Sequence, residues 1–396
     1  MRRLAAPYRE FFRQPGVIPL VGVALFARLP FGMVGLSMLM LLREALGSYA
    51  LAGSVSGVYF VAMAVGAPVQ GRLIDRSGPR LTLLVTGVVH PACLAAILAG
   101  ALTGASFTAI AVAAALAGLF APPTNVLART LWRHRFEGEE DRRRAFSIDA
   151  VLIEMNLTLG PAIVAGVLAA ANATAAFALA IAVSVAAIAT FAASPALAYL
   201  RPAAAAPRAL LGPLAEPRLL AVFAATFGLA TSIGFLEVGY PGYATGLGNP
   251  ALAGVFLSAS SLGSALGGAV FGGLTLRAPV ERQFAAAAGL MCLPLLLHYP
   301  AEGAPAFMLA AFLAGALIAP AIACQSVLVS RLAPAHQATE AFTWSATFIV
   351  CGLGAGIAVG GWLVEVAGAK IPFVAGSALM AVVALGALAT PARLRA

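Results

Sequence analysis

Long apolar runs alternate with short polar or charged loops along the whole chain. Each run approaches the length of about 20 residues that a helix needs to cross a bilayer. The strict alternation of a membrane barrel is absent. Each run predicts a helix, because a backbone surrounded by lipid must satisfy its own hydrogen bonds. The twelve predicted segments are 17–42, 49–71, 81–101, 105–131, 145–170, 174–199, 218–243, 250–275, 283–300, 305–331, 341–364 and 370–391.

The composition excludes a water-soluble or disordered chain. Hydrophobic residues make up 61% of the sequence and charged residues only 10%, against roughly 25% charged in globular proteins. Too few polar side chains exist to cover a soluble fold, and too many apolar ones for disorder. Twelve segments share 396 residues, about 33 each. The predicted fold class is therefore an all-α integral membrane protein with twelve transmembrane helices and short loops.

The positions of the basic residues predict the orientation. The net charge is +9, but the charges lie in short loops beside apolar runs, so we expect contacts with membrane lipids and none with nucleic acid. With a cytoplasmic N-terminus, all but three of the 24 basic residues fall on the cytoplasmic side. The exceptions are Arg43 and Lys370 in outer loops and Arg28 inside a segment. The positive-inside rule predicts a cytoplasmic-membrane protein with both termini in the cytoplasm.

The two halves of the chain repeat each other. The tetrapeptide Ala-Leu-Ala-Gly at 50–53 recurs at 251–254, and at the same offset Gly66 matches Gly267. Residues 119–122 resemble 317–320. Two halves of six helices run in parallel because six is even, which is a transporter architecture. The predicted domains are a six-helix bundle at 1–200, a cytoplasmic linker at 201–217 and a second bundle at 218–396.

The loop after the second segment carries a motif, Gly-Arg-Leu-Ile-Asp-Arg-Ser-Gly-Pro-Arg at 71–80. Gly71 would let the second and eleventh segments approach closely, and Gly78 permits a tight turn. The loop resembles the signature between helices two and three of the major facilitator superfamily, and with the twelve segments and two halves the resemblance covers the whole chain. It implies two six-helix bundles and a loop that latches the inner gate in the outward-open state. The matching positions are Gly71, Asp75, Arg76, Gly78 and Arg80.

Ionisable residues inside the segments are the first candidates for a site. Arg28 lies ~17 Å into the first segment, where an arginine costs about 3 to above 10 kcal/mol. Glu154 lies ~12 Å into the fifth segment, and Asp149 and Asn156 form a neighbouring stripe, with Asp149 nearer the cytoplasm. The resemblance implies that the first and fifth helices border a cavity. We predict that Arg28 meets Glu154 directly or through water or substrate, as a proton or substrate site; the alternative is a static ion pair.

Three further positions are weaker candidates. Asn125 follows a double proline, 122–123, that should bend the fourth segment; it is either a cavity group or a contact between helices. Gln325 in the tenth segment is another cavity candidate. A helix break is predicted in the seventh segment after Glu237, either as a gate hinge or as a plain interfacial end. The break residues are Gly239, Pro241 and Gly242.

These patterns favour a secondary active transporter that moves a small molecule by alternating access. We expect proton-coupled efflux, with an uptake symporter of a small anionic or polar metabolite as the alternative. We expect a monomer that needs no cofactor and no metal. An intramembrane enzyme lacks support because no HExxH or GxSxG motif occurs. A scaffold without transport would not explain the buried Arg28 and Glu154.

Overall fold

The computed structural model describes residues 11–136, 139–194, 212–274, 276–333 and 338–389. Within these ranges the side chains of some helical residues, including Asp75, Arg76, Asn125 and Glu154, lie outside the described part. The described chain is helical and contains no strand. Its helices are α1 (Val17–Leu46), α2 (Tyr49–Ser77), α3 (Pro79–Thr103), α4 (Phe107–Leu119), α5 (Thr124–Arg135), α6 (Glu139–Ala170), α7 (Ala173–Ala193), α8 (Pro217–Gly246), α9 (Leu252–Gly273), α10 (Val280–Leu297), α11 (Gly303–Gly315), α12 (Ile318–Leu332), α13 (Ala338–Ala367) and α14 (Ile371–Ala389).

Two of the predicted segments are interrupted. The fourth divides into α4 and α5 around Pro122 and Pro123, which lack the N–H groups that would continue the helix. The tenth divides into α11 and α12 at Ala316 and Leu317. Each of the other ten segments coincides with one helix in the described chain. The double proline interrupts the fourth span that the sequence predicts to bend, and the break in the tenth span falls close to the repeat-related position.

The outer surface of the bundle is apolar. Leu84 and Val88 of α3 are 63% and 68% exposed, and Leu290 and Leu293 of α10 are equally open. Eleven spans of the described chain are long and apolar enough to cross a membrane, and the short helix Phe107–Leu119 adds part of another. A large exposed apolar surface is unstable in water but matches lipid. The protein is therefore an integral membrane protein.

The repeat seen in the sequence is present in the packing. In the first half α1 packs on α6 and α7, and in the second half α8 packs on α13 and α14. Gly66 of α2 lies against the carbonyl oxygen of Leu119, and Gly267 of α9 against that of Ala316. Both glycines thus contact the end of the first piece of a broken span. The predicted all-helical class with two parallel repeats is confirmed.

The halves touch near one end of the bundle. We call the end where α1 begins the near end, and the end where it finishes the far end. Gly53 of α2 would place a Cβ 3.1 Å from Gly361 of α13, and Gly254 of α9 would place one 2.6 Å from the Cβ of Ala165 in α6. These residues lie in the far half of each helix. Because backbones can approach closely only where side chains are small, the glycines fix this interface.

Candidate functional site

Arg28 and Asp149 form an ion pair inside the first half. The guanidinium Nη2 of Arg28 lies 2.7 Å from Oδ1 of Asp149, and each side chain is only 2% exposed. The same oxygen accepts a hydrogen bond of 2.8 Å from the indole Nε1 of Trp132. Three helices, α1, α5 and α6, therefore each contribute one side chain to this polar cluster.

Glycines bring the helices of this cluster together. A Cβ at Gly32 would collide with the backbone oxygen of Asn156, and a Cβ at Gly160 would lie 2.5 Å from the carbonyl carbon of Gly32. Gly32 follows Arg28 by one helical turn. The backbones of α1 and α6 are therefore in direct contact beside the pair, which holds the guanidinium within reach of Asp149.

The burial of the pair determines what it can do. Removing two charges from water costs several kcal/mol per ion, and their mutual attraction offsets that cost only with good geometry and additional hydrogen bonds. Asp149 has a close ion-pair contact with Arg28 and an additional hydrogen bond from Trp132. Because Arg28 is enclosed in this conformation, it does not present its charge to an open cavity. In this conformation Arg28 therefore does not form an exposed site that would attract anions.

The other predicted residues of the first half are placed as follows. Asn156 is buried, and its Nδ2 donates to the carbonyl oxygen of Leu152 at 2.8 Å. The side chains of Glu154 and Asn125 lie outside the described residues, so the contact between Arg28 and Glu154 remains a prediction. The structure thus joins Arg28 to Asp149 of the predicted stripe.

The motif loop forms the expected tight turn. Gly78 has φ 80°, ends α2 and precedes Pro79, the first residue of α3. Proline is favoured at a first helical position because no N–H is needed there, which accounts for its place in the motif. Arg80 is exposed, while the side chains of Asp75 and Arg76 lie outside the described residues. A Cβ at Gly71 would meet no atom within 4 Å, so the close approach of α2 and α13 occurs at Gly53 rather than at Gly71.

The predicted helix break in the seventh segment is wrong. Helix α8 continues through Pro241 to Gly246, and residues 238–242 are buried. A proline removes one hydrogen bond without ending a helix when neighbouring helices support it. Gly239 and Gly242 serve packing instead: a Cβ at Gly239 would lie 2.7 Å from the ring of Phe373, and a Cβ at Gly242 would lie 3.0 Å from Val364.

A contact at the far end was not predicted. The backbone N–H of Tyr49 donates to Oε2 of Glu365 at 2.9 Å, and its hydroxyl donates to the carbonyl oxygen of Pro241 at 2.9 Å. The hydroxyl of Tyr49 also lies 2.8 Å from Oγ1 of Thr245. Tyr49 thus joins the first half to two helices of the second. The sequence gives no signal for it, because the repeat-related position is Pro250.

The second half holds a small recess where the first half holds the ion pair. The repeat register that aligns Gly32 with Gly234 and Gly160 with Gly356 places Ala230 at the position of Arg28 and Ser345 at that of Asp149. Gln325 is 1% exposed and donates to Oγ of Ser345 at 2.8 Å. The recess is small and partly open, with room for about one water-sized group. Its lining residues are Thr226, Leu229, Ala230, Ile233, Ile322, Gln325 and Ile349.

These features define a class of protein: a duplicated helical membrane protein with an ion pair in one half and an apolar recess in the other. The family model of the Major Facilitator Superfamily matches residues 20–236, more than half of the chain. The protein belongs to this superfamily, which makes it a secondary transporter and not an enzyme. A comparison with curated protein sequences found no significant match.

Solved transporter structures share the fold. A mutant of the nucleoside transporter NupG superposes with a TM-score of 0.76 at 14% identity, covering 94% of this chain and 98% of that one. A mutant of a peptide transporter POT in complex with sulfate gives 0.75 at 16% identity, covering 96% and 95%. A POT family transporter in complex with 5-aminolevulinic acid gives 0.71 at 14% identity, covering 96% and 97%. At these identities the likeness concerns the fold alone.

Proposed function

We propose that the protein exports a small amphipathic molecule across the cytoplasmic membrane by proton-coupled alternating access. The observation that carries this proposal is the pair of Arg28 and Asp149, enclosed by three helices, with Arg28 well inside the first candidate span. Ionisable groups in that setting are expensive and are typical of proton relays and substrate pathways. A carboxylate that exchanges its partner during a conformational change can take up and release a proton.

The repeat and the interface support a rocking motion of two bundles. We propose that residues 1–200 and 218–396 move as units joined by the linker 201–217, in a protein that works as a monomer among membrane lipids. In this proposal the near end faces the cytoplasm, in agreement with the positive-inside rule. Glycine contacts such as that of Gly53 with Gly361 would then open and close the outer side.

The proposed proton and substrate path includes Glu154, Asn125 and Asn156 in the first half. It includes Gln325 in the second half. The proposed inner gate consists of the motif residues Gly71, Asp75, Arg76, Gly78 and Arg80. An uptake symporter of a small anionic or polar metabolite is the second candidate. The polar contact between Gln325 and Ser345 beside the recess supports it, because an amide and a hydroxyl group can form hydrogen bonds with a polar substrate.

Everted membrane vesicles test the export proposal. Vesicles containing the protein, energised with an acidic interior, should accumulate members of a panel of cationic, anionic and neutral amphipathic compounds. A protonophore should abolish the accumulation, and Asp149→Asn vesicles should show little of it. Vesicles without the protein are the control. Accumulation that ignores the proton gradient would contradict the coupling, and accumulation only in right-side-out vesicles would favour uptake.

A further inference from the structure

Glu237 is a carboxyl group at membrane depth without a protein partner in the described residues. It lies nine residues before the last residue of α8, which is ~14 Å along the axis. No hydrogen bond or ion pair joins it to the described residues, and its side chain is partly exposed. The ion pair of the first half shows the contrast, because there Asp149 has both Arg28 and Trp132.

Glu237 shares a helical face with the recess. It follows Thr226, Ala230 and Ile233 by 11, 7 and 4 residues, spacings that return to the same side of an α-helix. All three residues line the recess. One turn further along this face, the carbonyl oxygen of Pro241 accepts the hydroxyl of Tyr49 from the first half. The carboxyl therefore lies between the recess and the contact that closes the far end.

The cations of the far end have other contacts. The Nζ of Lys370 donates to the carbonyl oxygens of Tyr299 and Ala301 at 2.8 and 2.7 Å, and the guanidinium of Arg43 lies over the ring of Tyr49 at 5.6 Å. Arg28 is paired with Asp149. None of these contacts brings a positive charge to Glu237.

The carboxyl is also not part of the repeated packing. In the register that aligns Gly32 with Gly234, the position of Glu237 is occupied by Gly35 in the first half. Gly35 packs near the ring of Phe60, so the equivalent place in the first half is apolar. Helix packing alone does not call for an acid here, and an ionised acid in low dielectric requires a compensating charge.

We propose that Glu237 and the recess beside it bind the positively charged end and part of the apolar body of an organic cation. This inference rests on the proposed transport function and names its substrate class. A carboxylate one helical turn from Ile233, which lines an apolar recess together with Leu229 and Ile322, suits a tertiary or quaternary ammonium group that carries an apolar substituent. The recess has room for about one small group, so it would hold only the tip of the apolar substituent, and the rest of the molecule would lie in the space towards which the recess opens.

Two probes of the same shape and opposite charge test this proposal. Benzyltrimethylammonium and phenylmethanesulfonate are permanently charged, so changes of pH do not alter them. Binding to purified protein is measured by equilibrium dialysis and by the shift of Tm that ligand binding produces. The cation should bind and raise Tm, and the anion should do neither. Glu237→Gln should weaken cation binding at least about tenfold, and Glu237→Asp, which keeps the charge on a shorter side chain, should weaken it less.

Glu302→Gln is the matched control, since Glu302 is exposed at the far end and its side chain makes no capping hydrogen bond. It should bind the cation like the unmodified protein. Equal binding of both probes, binding that survives Glu237→Gln, or no response to the cation at all would overturn the proposal. A site that only takes up protons would give this last result. If the cation does not bind but vesicles transport other compounds, the cation site is refuted and the export function is supported. If the cation binds but vesicles transport no compound, the export function is refuted and the cation site is supported.

Discussion

At the scale of single residues, Arg28 and Asp149 form a buried ion pair whose carboxylate also accepts a hydrogen bond from Trp132. Such a pair is weak evidence for stability, because well-packed apolar residues often replace a buried ion pair at no loss. Removing one member is different, since it leaves the other charge without its main partner. A variant that lacks both charges can therefore be stable, and its transport activity then shows whether the pair takes part in transport or only in packing.

We therefore predict the outcome of a double-mutant cycle at these two positions. Arg28→Met and Asp149→Leu should each destabilise the protein by about 3–5 kcal/mol, and the double variant should recover most of the loss. Thermal unfolding in detergent measures stability, and vesicle accumulation measures transport. The double variant should be stable but inactive. Normal transport by the stable double variant would reduce the pair to a packing role.

Residue-level prediction from the sequence located the charged groups but did not identify the pairing of Arg28 with Asp149. Arg28 is conspicuous because an arginine in an apolar segment requires a partner, and Asp149 was noted as part of a neighbouring stripe. The sequence predicts Glu154 as the partner of Arg28, because both lie deep in their segments, and this contact stays a prediction, since the Glu154 side chain lies outside the described residues. Depth along two helices does not give their rotation or their relative shift, which depend on glycine contacts between α1 and α6. Trp132 and Tyr49 had no local signal, since their hydrogen bonds cross between helices.

At the scale of helices, contact between α1 and α6 depends on two glycines facing each other. Gly32 and Gly160 leave no room for a side chain, whereas Gly22, also in α1, would place a Cβ in open space. Gly32 and Gly22 therefore provide a matched pair of substitution sites in α1, with the same local helix propensity and different surroundings.

We predict that Gly32→Ala destabilises the protein by about 1–3 kcal/mol through overpacking. Gly22→Ala should leave stability unchanged or raise it by roughly 0.5–1 kcal/mol, because alanine restricts the unfolded chain and favours the helix. Unfolding in a detergent series measures both variants. If the two substitutions had equal effects, the close contact of α1 with α6 would not be what positions Arg28.

Helix-level prediction was accurate for length and number and failed at the irregular positions. Apolar runs report how far a helix extends through lipid, and they located each span in the described chain. The double proline 122–123 predicted one interruption, while the break at Ala316 had only the repeat to indicate it. The glycines near Pro241 suggested a break that tertiary packing against Phe373 and Val364 prevents.

At the scale of the whole molecule, the repeat creates two related interfaces between the halves. Helix α2 meets α13, and α9 meets α6, through glycines in the far half of each helix. At the near end a Cβ at either Gly71 or Gly272, which the repeat relates, would meet no atom within 4 Å. Fold, repeat and family could be predicted from the sequence, but the end at which the halves touch could not, because both ends carry similar small residues.

Tyr49 should hold the far end closed. Its hydroxyl donates to the carbonyl oxygen of Pro241 and lies within hydrogen-bond distance of Thr245, so Tyr49→Phe removes the side-chain link between α2 and α8 and keeps the ring. At about 0.5–1.5 kcal/mol for a neutral hydrogen bond, this change should raise the population of far-end-open molecules roughly two- to tenfold.

The measurement is the distance between spin labels at Leu51→Cys and Val366→Cys, both exposed at the far end, in a protein without its native cysteines. Tyr299→Phe, a change of an exposed tyrosine at the same end, is the control. Identical distance distributions in Tyr49→Phe and the unmodified protein would show that glycine packing alone closes the far end.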